Sequence, residues 1–76
     1  MKEEIRNRLE EVLPSVDFDS DFLFQELDSL GITTILMTLS DMYGIELDRK
    51  DVTPKNFKSL DSLVELVKTK LSENAN

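Results

Sequence analysis

The stretch Gln25-Glu26-Leu27-Asp28-Ser29-Leu30-Gly31 places a serine directly after an acid, at the point where an acidic, aromatic-studded segment gives way to an apolar run. A serine does chemistry in two ways. It attacks as a nucleophile when a base within hydrogen-bond reach takes its proton, or it is itself the acceptor of a group that another enzyme installs. The sequence contains no His and no Cys, and no Lys or Arg lies near Ser29 in the chain. No motif supports a serine–lysine pair. The run Leu27-Asp28-Ser29-Leu30-Gly31 also lacks the leading glycine of a Gly-x-Ser-x-Gly nucleophile elbow. No metal-ligand set and no phosphate loop is visible, so the chain reads as a non-enzyme.

Two readings of Ser29 remain on its own residues. Asp and Ser are favoured helix N-caps because their oxygens accept free amide protons of the first turn, and a cap is the plainer reading of Ser29 taken alone. The same helix end, with open amides and the positive end of the dipole, also tolerates an anion. A phosphate ester on Ser29 would gain about 0.3–1 kcal/mol there.

The surrounding elements follow from periodicity. Ile5, Leu9, Val12 and Leu13 define one face of an amphipathic helix over residues 2–13, with Glu3 and Glu4 in its first turn and Pro14 as its stop. Residues 14–28 read as a long loop whose Phe18, Phe22, Phe24 and Leu27 pack it down. A second helix is predicted over about 29–43 from Ile32, Ile35, Leu36, Leu39 and Tyr43, ended by Gly44. Residues 45–52 form a connector anchored by Ile45, Leu47 and Val52. One short helical turn follows at 53–57, with Thr53 as cap and Pro54 in first position. Ser59 caps a last helix with Leu60, Leu63, Val64, Val67 and Leu71 inward, and residues 72–76 fray. The expectation is one all-α domain over residues 1–76, a small four-helix bundle of three main helices and one short one, with a long first loop.

With 76 residues and a net charge of −7, the domain is small and acidic. From Leu9 to Asp48 there is no Lys or Arg at all, while acids run from Glu10 to Asp48. Such a surface repels nucleic acid and anionic lipid and steers toward basic protein patches. No segment is long and apolar enough for a signal peptide or a membrane span, so no membrane insertion is expected and a cytoplasmic location is.

The run from Leu23 to Leu47 resembles the carrier-protein family: acyl, peptidyl and D-alanyl carriers. The features are Asp28-Ser29-Leu30 at the head of an apolar helix and Tyr43-Gly44-Ile45-Glu46-Leu47 at its end. Residues 51–67 resemble that family's short third helix running into its fourth. The resemblance implies that Ser29 is esterified by a 4′-phosphopantetheine arm from coenzyme A, whose thiol holds an acyl or aminoacyl group as a thioester. The implied partners are a phosphopantetheinyl transferase, an acyl- or aminoacyl-loading ligase and downstream acyl-transferring enzymes, with Asp28, Leu30, Thr33, Met37 and Asp41 as contacts on a monomeric carrier. A second Asp-Ser-Leu, at Asp61-Ser62-Leu63, leaves room for only one helix after it and reads as an ordinary helical serine.

Glu26 stands where many fatty-acid carriers have Gly, and Leu27-Asp28-Ser29-Leu30-Gly31 resembles carriers loaded by adenylating ligases. The outer face of the second helix carries Leu30, Thr33, Thr34, Met37, Ser40 and Asp41, with a single acid. The second feature predicts recognition more apolar and less salt-sensitive than through a carboxylate stripe, and both features point to a specialised pathway. By the same resemblance, Phe22, Phe24, Ile35, Leu36, Leu39 and Tyr43 are candidates to line an acyl cavity. Plain core is the competing reading, and Met42 is open between core and contact.

The rival class is an unmodified acidic adaptor or calcium-responsive module. Residues 17–28 put acids at the first, third, fifth and twelfth positions of a calcium-loop pattern. Phe22 stands where that loop needs Gly, and Asp28 stands in place of the usual Glu.

Overall fold

A computed structural model describes residues 1–74. Those residues form α1 (Lys2–Val12), α2 (Leu23–Glu26), α3 (Ser29–Tyr43), a 3₁₀ turn (Arg49–Asp51) and α4 (Leu60–Asn74), with no strand among them. α1, α3 and α4 pack pairwise around one core. Ile5 and Leu9 come from α1, Ile35 and Leu39 from α3, and Leu63 and Val67 from α4, and none of the six has any exposed surface. No described helix is long and apolar enough to cross a membrane.

The three long helices stand where apolar periodicity puts them. α1 stops one residue early, with Leu13 as its C-cap donating its amide to the Leu9 carbonyl at 2.8 Å. Val12, expected inward, is 40% exposed instead; Leu13 turns toward the core in its place. α3 ends on Gly44, whose φ of 62° is the left-handed conformation that only glycine adopts freely. Met42, open on sequence, packs against the core. Ser59 Oγ accepts from the Ser62 amide at 3.3 Å, which is the expected cap of α4. Leu66 is buried too, on the flank of α4 that the connector residues Asp51 and Asn56 approach. The expectation that residues 72–76 fray is corrected in part: α4 runs to Asn74, and residues 75–76 lie outside the described residues.

The long first loop is packed down, but it contains a helical turn that periodicity does not announce. Four residues cannot hold a helix alone. α2 is held from outside: the Leu23 amide donates to the Lys58 carbonyl at 3.0 Å, and Phe24 meets Phe57 edge to face at 6.3 Å. Arg6 pairs with Asp19 and ties the same loop to α1.

The short turn expected at 53–57 is present with Thr53 as its cap, and a second short element that was not expected precedes it. At 53–57 there is a single hydrogen-bonded turn, in which Asn56 N donates to Thr53 Oγ1 and Phe57 N to Thr53 O, both at 3.0 Å. The 3₁₀ turn lies earlier, inside the presumed connector. There Asp48 and Asp51 form a reciprocal capping box. Asp51 is the one polar residue buried among those described, 8% exposed, and its carboxylate also meets Lys70 Nζ at 3.1 Å. Burial alone would push the Asp51 carboxyl up; the Asp48 amide and the Lys70 ammonium outweigh it and hold it below the usual carboxylate range. The hydrogen bond to Asp51 raises Lys70 in turn.

A carboxyl that titrates lower when folded stabilises at neutral pH, and its contribution fades as the pH falls through that lowered value. The Lys70 side of the pair is lost only in strong alkali. Asp51→Ala should therefore reduce the unfolding free energy at neutral pH by roughly 1–3 kcal/mol. In urea titrations the gap between wild type and variant should close on acidification below the ordinary carboxylate range. An equal gap at both pH values would show that the charge on Asp51 contributes nothing.

Candidate functional site

The site is built on the N-terminus of α3. Asp28, in extended conformation at the N-cap, accepts the Gly31 amide on Oδ1 at 2.7 Å. The capping reading of Ser29 is thereby corrected: Asp28 performs that task, and Ser29 is the first helical residue, exposed, with its hydroxyl left out of the cap. Gly31 packs closely under the cap. A Cβ there would stand 3.3 Å from Asp28 Oδ1 and 3.4 Å from Leu27 Cδ2. The Asp28 carboxylate is the acid at the positive end of the α3 dipole, and the first turn itself carries none.

Beside Ser29 runs a groove of about 290 Å³. α3 supplies Ser29, Ile32, Thr33 and Leu36 to one wall, and Arg49 and Val52 from the 3₁₀ region supply the other. An adjoining groove of about 530 Å³ shares Thr33, Leu36 and Arg49 and extends past Met37, Ser40 and Asp41 to Leu47 and Asp48. Thr33, Met37 and Asp41 are thus brought together along one edge of α3. Leu30, 74% exposed, projects outside these grooves. Thr33 Oγ1 donates to the Ser29 carbonyl at 2.9 Å, and Thr34 Oγ1 to the Leu30 carbonyl at 2.8 Å. Folding these hydroxyls back onto the helix leaves the outer face to Leu30 and Met37, with Asp41 toward its end.

Ser62 is not presented in this way. It is half-buried in the first turns of α4, its hydroxyl 3.3 Å from that of Ser59. The calcium pattern does not assemble either. Asp19 is paired with Arg6, Asp17 accepts the Asp19 amide, and Asp28 caps α3. No cluster of three or more metal-ligating side chains exists among the described residues. The acyl-cavity candidates separate. Phe22 is corrected to a solvent position, 67% exposed; Ile35 and Leu39 are closed core; Leu36 borders the grooves. Phe24 and Tyr43 pack against the core from its edge, and burial, with Glu4 adding, pushes the Tyr43 hydroxyl's pKa up.

Arg49 and Val52 line the groove beside Ser29, and sequence reasoning placed neither of them there. One signal was available for the first: Arg49 is the first cation after Arg8. Nothing local tells that it folds back beside Ser29.

If Asp28 alone caps α3, Asp28→Ala should lower stability by about 1 kcal/mol and Ser29→Ala by clearly less. Thermal unfolding of the two variants checks this, and equal losses would return the cap to the serine.

Set against known proteins, residues 2–67 match the family described as "Phosphopantetheine attachment site". No curated protein and no solved structure matches the chain. Domains of this family carry a covalent 4′-phosphopantetheine and deliver substrates to enzymes without catalysing the reactions themselves. An exposed hydroxyl, free of its helix cap and at the mouth of a groove, is chemistry that fits such an arm. With most of its length matched and an all-helical architecture to accompany it, this chain belongs to the phosphopantetheine attachment family and is a carrier protein.

Proposed function

We propose that the arm is esterified to Ser29 and that the protein presents an acyl or aminoacyl thioester to the enzymes of a specialised biosynthetic pathway. The observation that carries this is the separation of tasks at the head of α3: Asp28 caps, and the exposed Ser29 hydroxyl is left for substitution. When bound, the arm supplies the thiol; the chain, which has no Cys, supplies position and recognition. A phosphopantetheinyl transferase, a loading ligase and acyl-transferring enzymes would read α3 through Leu30, Thr33 and Met37, with Asp28 and Asp41 at either end. Leu30 and Met37 are 74% and 68% exposed, which supports apolar contacts as the source of affinity. Glu26 and Leu27 ahead of Asp28, and the single acid on the outer face, support an adenylating ligase over housekeeping fatty-acid synthesis. The reading places a monomeric single domain in the cytoplasm, where its coenzyme A donor is made.

Incubation with coenzyme A and a broad-specificity phosphopantetheinyl transferase should add one phosphopantetheine by intact mass. The gain should vanish in Ser29→Ala and persist in Ser62→Ala. A folded protein that several transferases leave unchanged would instead be an unmodified acidic adaptor.

The apolar face gives a second expectation. Met37→Ala and Leu30→Ala should each lower kcat/KM for the loading ligase by about tenfold, a loss on the order of 1.4 kcal/mol. Wild-type kcat/KM should change little between low and physiological salt. A steep salt dependence would move recognition to the acids of the first loop.

A further inference from the structure

Arg49 faces the same groove as Ser29, from the opposite wall. Its backbone is held on a short, braced turn. It is the first residue of the 3₁₀ element, between the Asp48 and Asp51 members of the capping box, and its carbonyl accepts the Val52 amide at 3.1 Å. Asp51 in turn is anchored to α4 through Lys70. The side chain is not used up by this arrangement. Among the described residues Arg6, Lys2 and Lys70 each have a carboxylate partner on another element, and the guanidinium of Arg49 has none within ion-pairing distance. It is also the first positive charge after Arg8, at the edge of the acidic half of the chain. A braced, exposed, unpaired guanidinium across a groove from the site of substitution is placed to receive an anion.

We infer that Arg49 is a positioning residue that holds the phosphodiester of the arm on Ser29 and lays the following amide chain along Ile32, Leu36 and Val52. The inference rests on the proposed attachment at Ser29. The phosphate is one bond from the Ser29 hydroxyl oxygen, so it lies at the mouth of this groove whatever cargo the arm bears. A guanidinium stays charged at any physiological pH and offers paired donors to two phosphate oxygens. Lys at this position would keep the charge and lose the paired geometry. The contact is open to solvent, so salt should weaken it.

The test uses holo-protein, with phosphopantetheine addition verified by intact mass, in wild type, Arg49→Gln and Arg49→Lys. Isotope-edited nuclear Overhauser effects between the arm and the methyl groups of Ile32, Leu36 and Val52 report whether the arm lies in the groove, and the phosphorus-31 shift reports on the phosphodiester. The wild type should show these contacts. They should drop several-fold in Arg49→Gln, remain in part in Arg49→Lys, and weaken in wild type at high salt, with the phosphorus shift moving in parallel. Amide spectra of the unmodified forms should overlay away from residue 49, because the side chain is exposed and unpaired. Arm contacts and a phosphorus shift identical in wild type and Arg49→Gln would overturn this role while leaving attachment at Ser29 intact. A failure to add phosphopantetheine at Ser29 would overturn both.

Discussion

The architecture around the site depends on one buried carboxylate. Residues 45–59 contain no long helix and no strong periodicity to hold them. Asp51 organises them from within: its carboxylate accepts the Asp48 amide at 3.1 Å and meets Lys70, and its carbonyl accepts Asn56 Nδ2 at 3.0 Å. A charge removed from water must find such partners, and here they are a backbone amide of its own turn and a lysine on α4. The connector therefore has one way to lie across α3 and α4. Ile45 and Phe57 are buried along it, and Val52 and Arg49 are turned toward α3. Without this wall, Ile32 and Leu36 would be an open flank of a helix and not one side of a groove.

The other wall is ordered by the opposite means, a short-range polar contact at the surface. Asp28, Gly31 and the side chain of Leu27 form a tight local unit in which a Cβ at Gly31 would ask the Asp28 and Leu27 side chains to give by a few tenths of an ångström. Thr33 and Thr34 then satisfy their own hydroxyls on backbone carbonyls. The first two turns of α3 thus present apolar side chains outward and an unengaged serine at the tip, on a helix whose inner face is fixed by Ile35 and Leu39.

What could be read in the sequence was what local spacing determines. Ile5 and Leu9, the α3 set ending at Gly44, and Leu60 through Val67 mark their helices because burial of one face recurs at the helical period. Ser29 stood out because Asp-Ser-Leu at the head of an apolar helix resembles a known family. The unread parts were those decided by distant partners. α2 exists through Lys58 and Phe57, and the 3₁₀ turn, capped locally by Asp48 and Asp51, is tied to α4 through Lys70. The same holds for Arg49, whose approach to Ser29 follows from how the connector is tied down. Phe22 shows the converse error, since an aromatic in a packed loop need not itself be packed.

The cap on Asp28 has a further consequence for how such a protein would be used over its lifetime. The residue that stabilises the helix and the residue open to substitution are neighbours but not the same. Anything joined to the Ser29 oxygen replaces no bond on which α3 relies. If the arm is joined there as proposed, the cap that starts α3 is complete before the arm arrives, and folding of the helix does not wait on it.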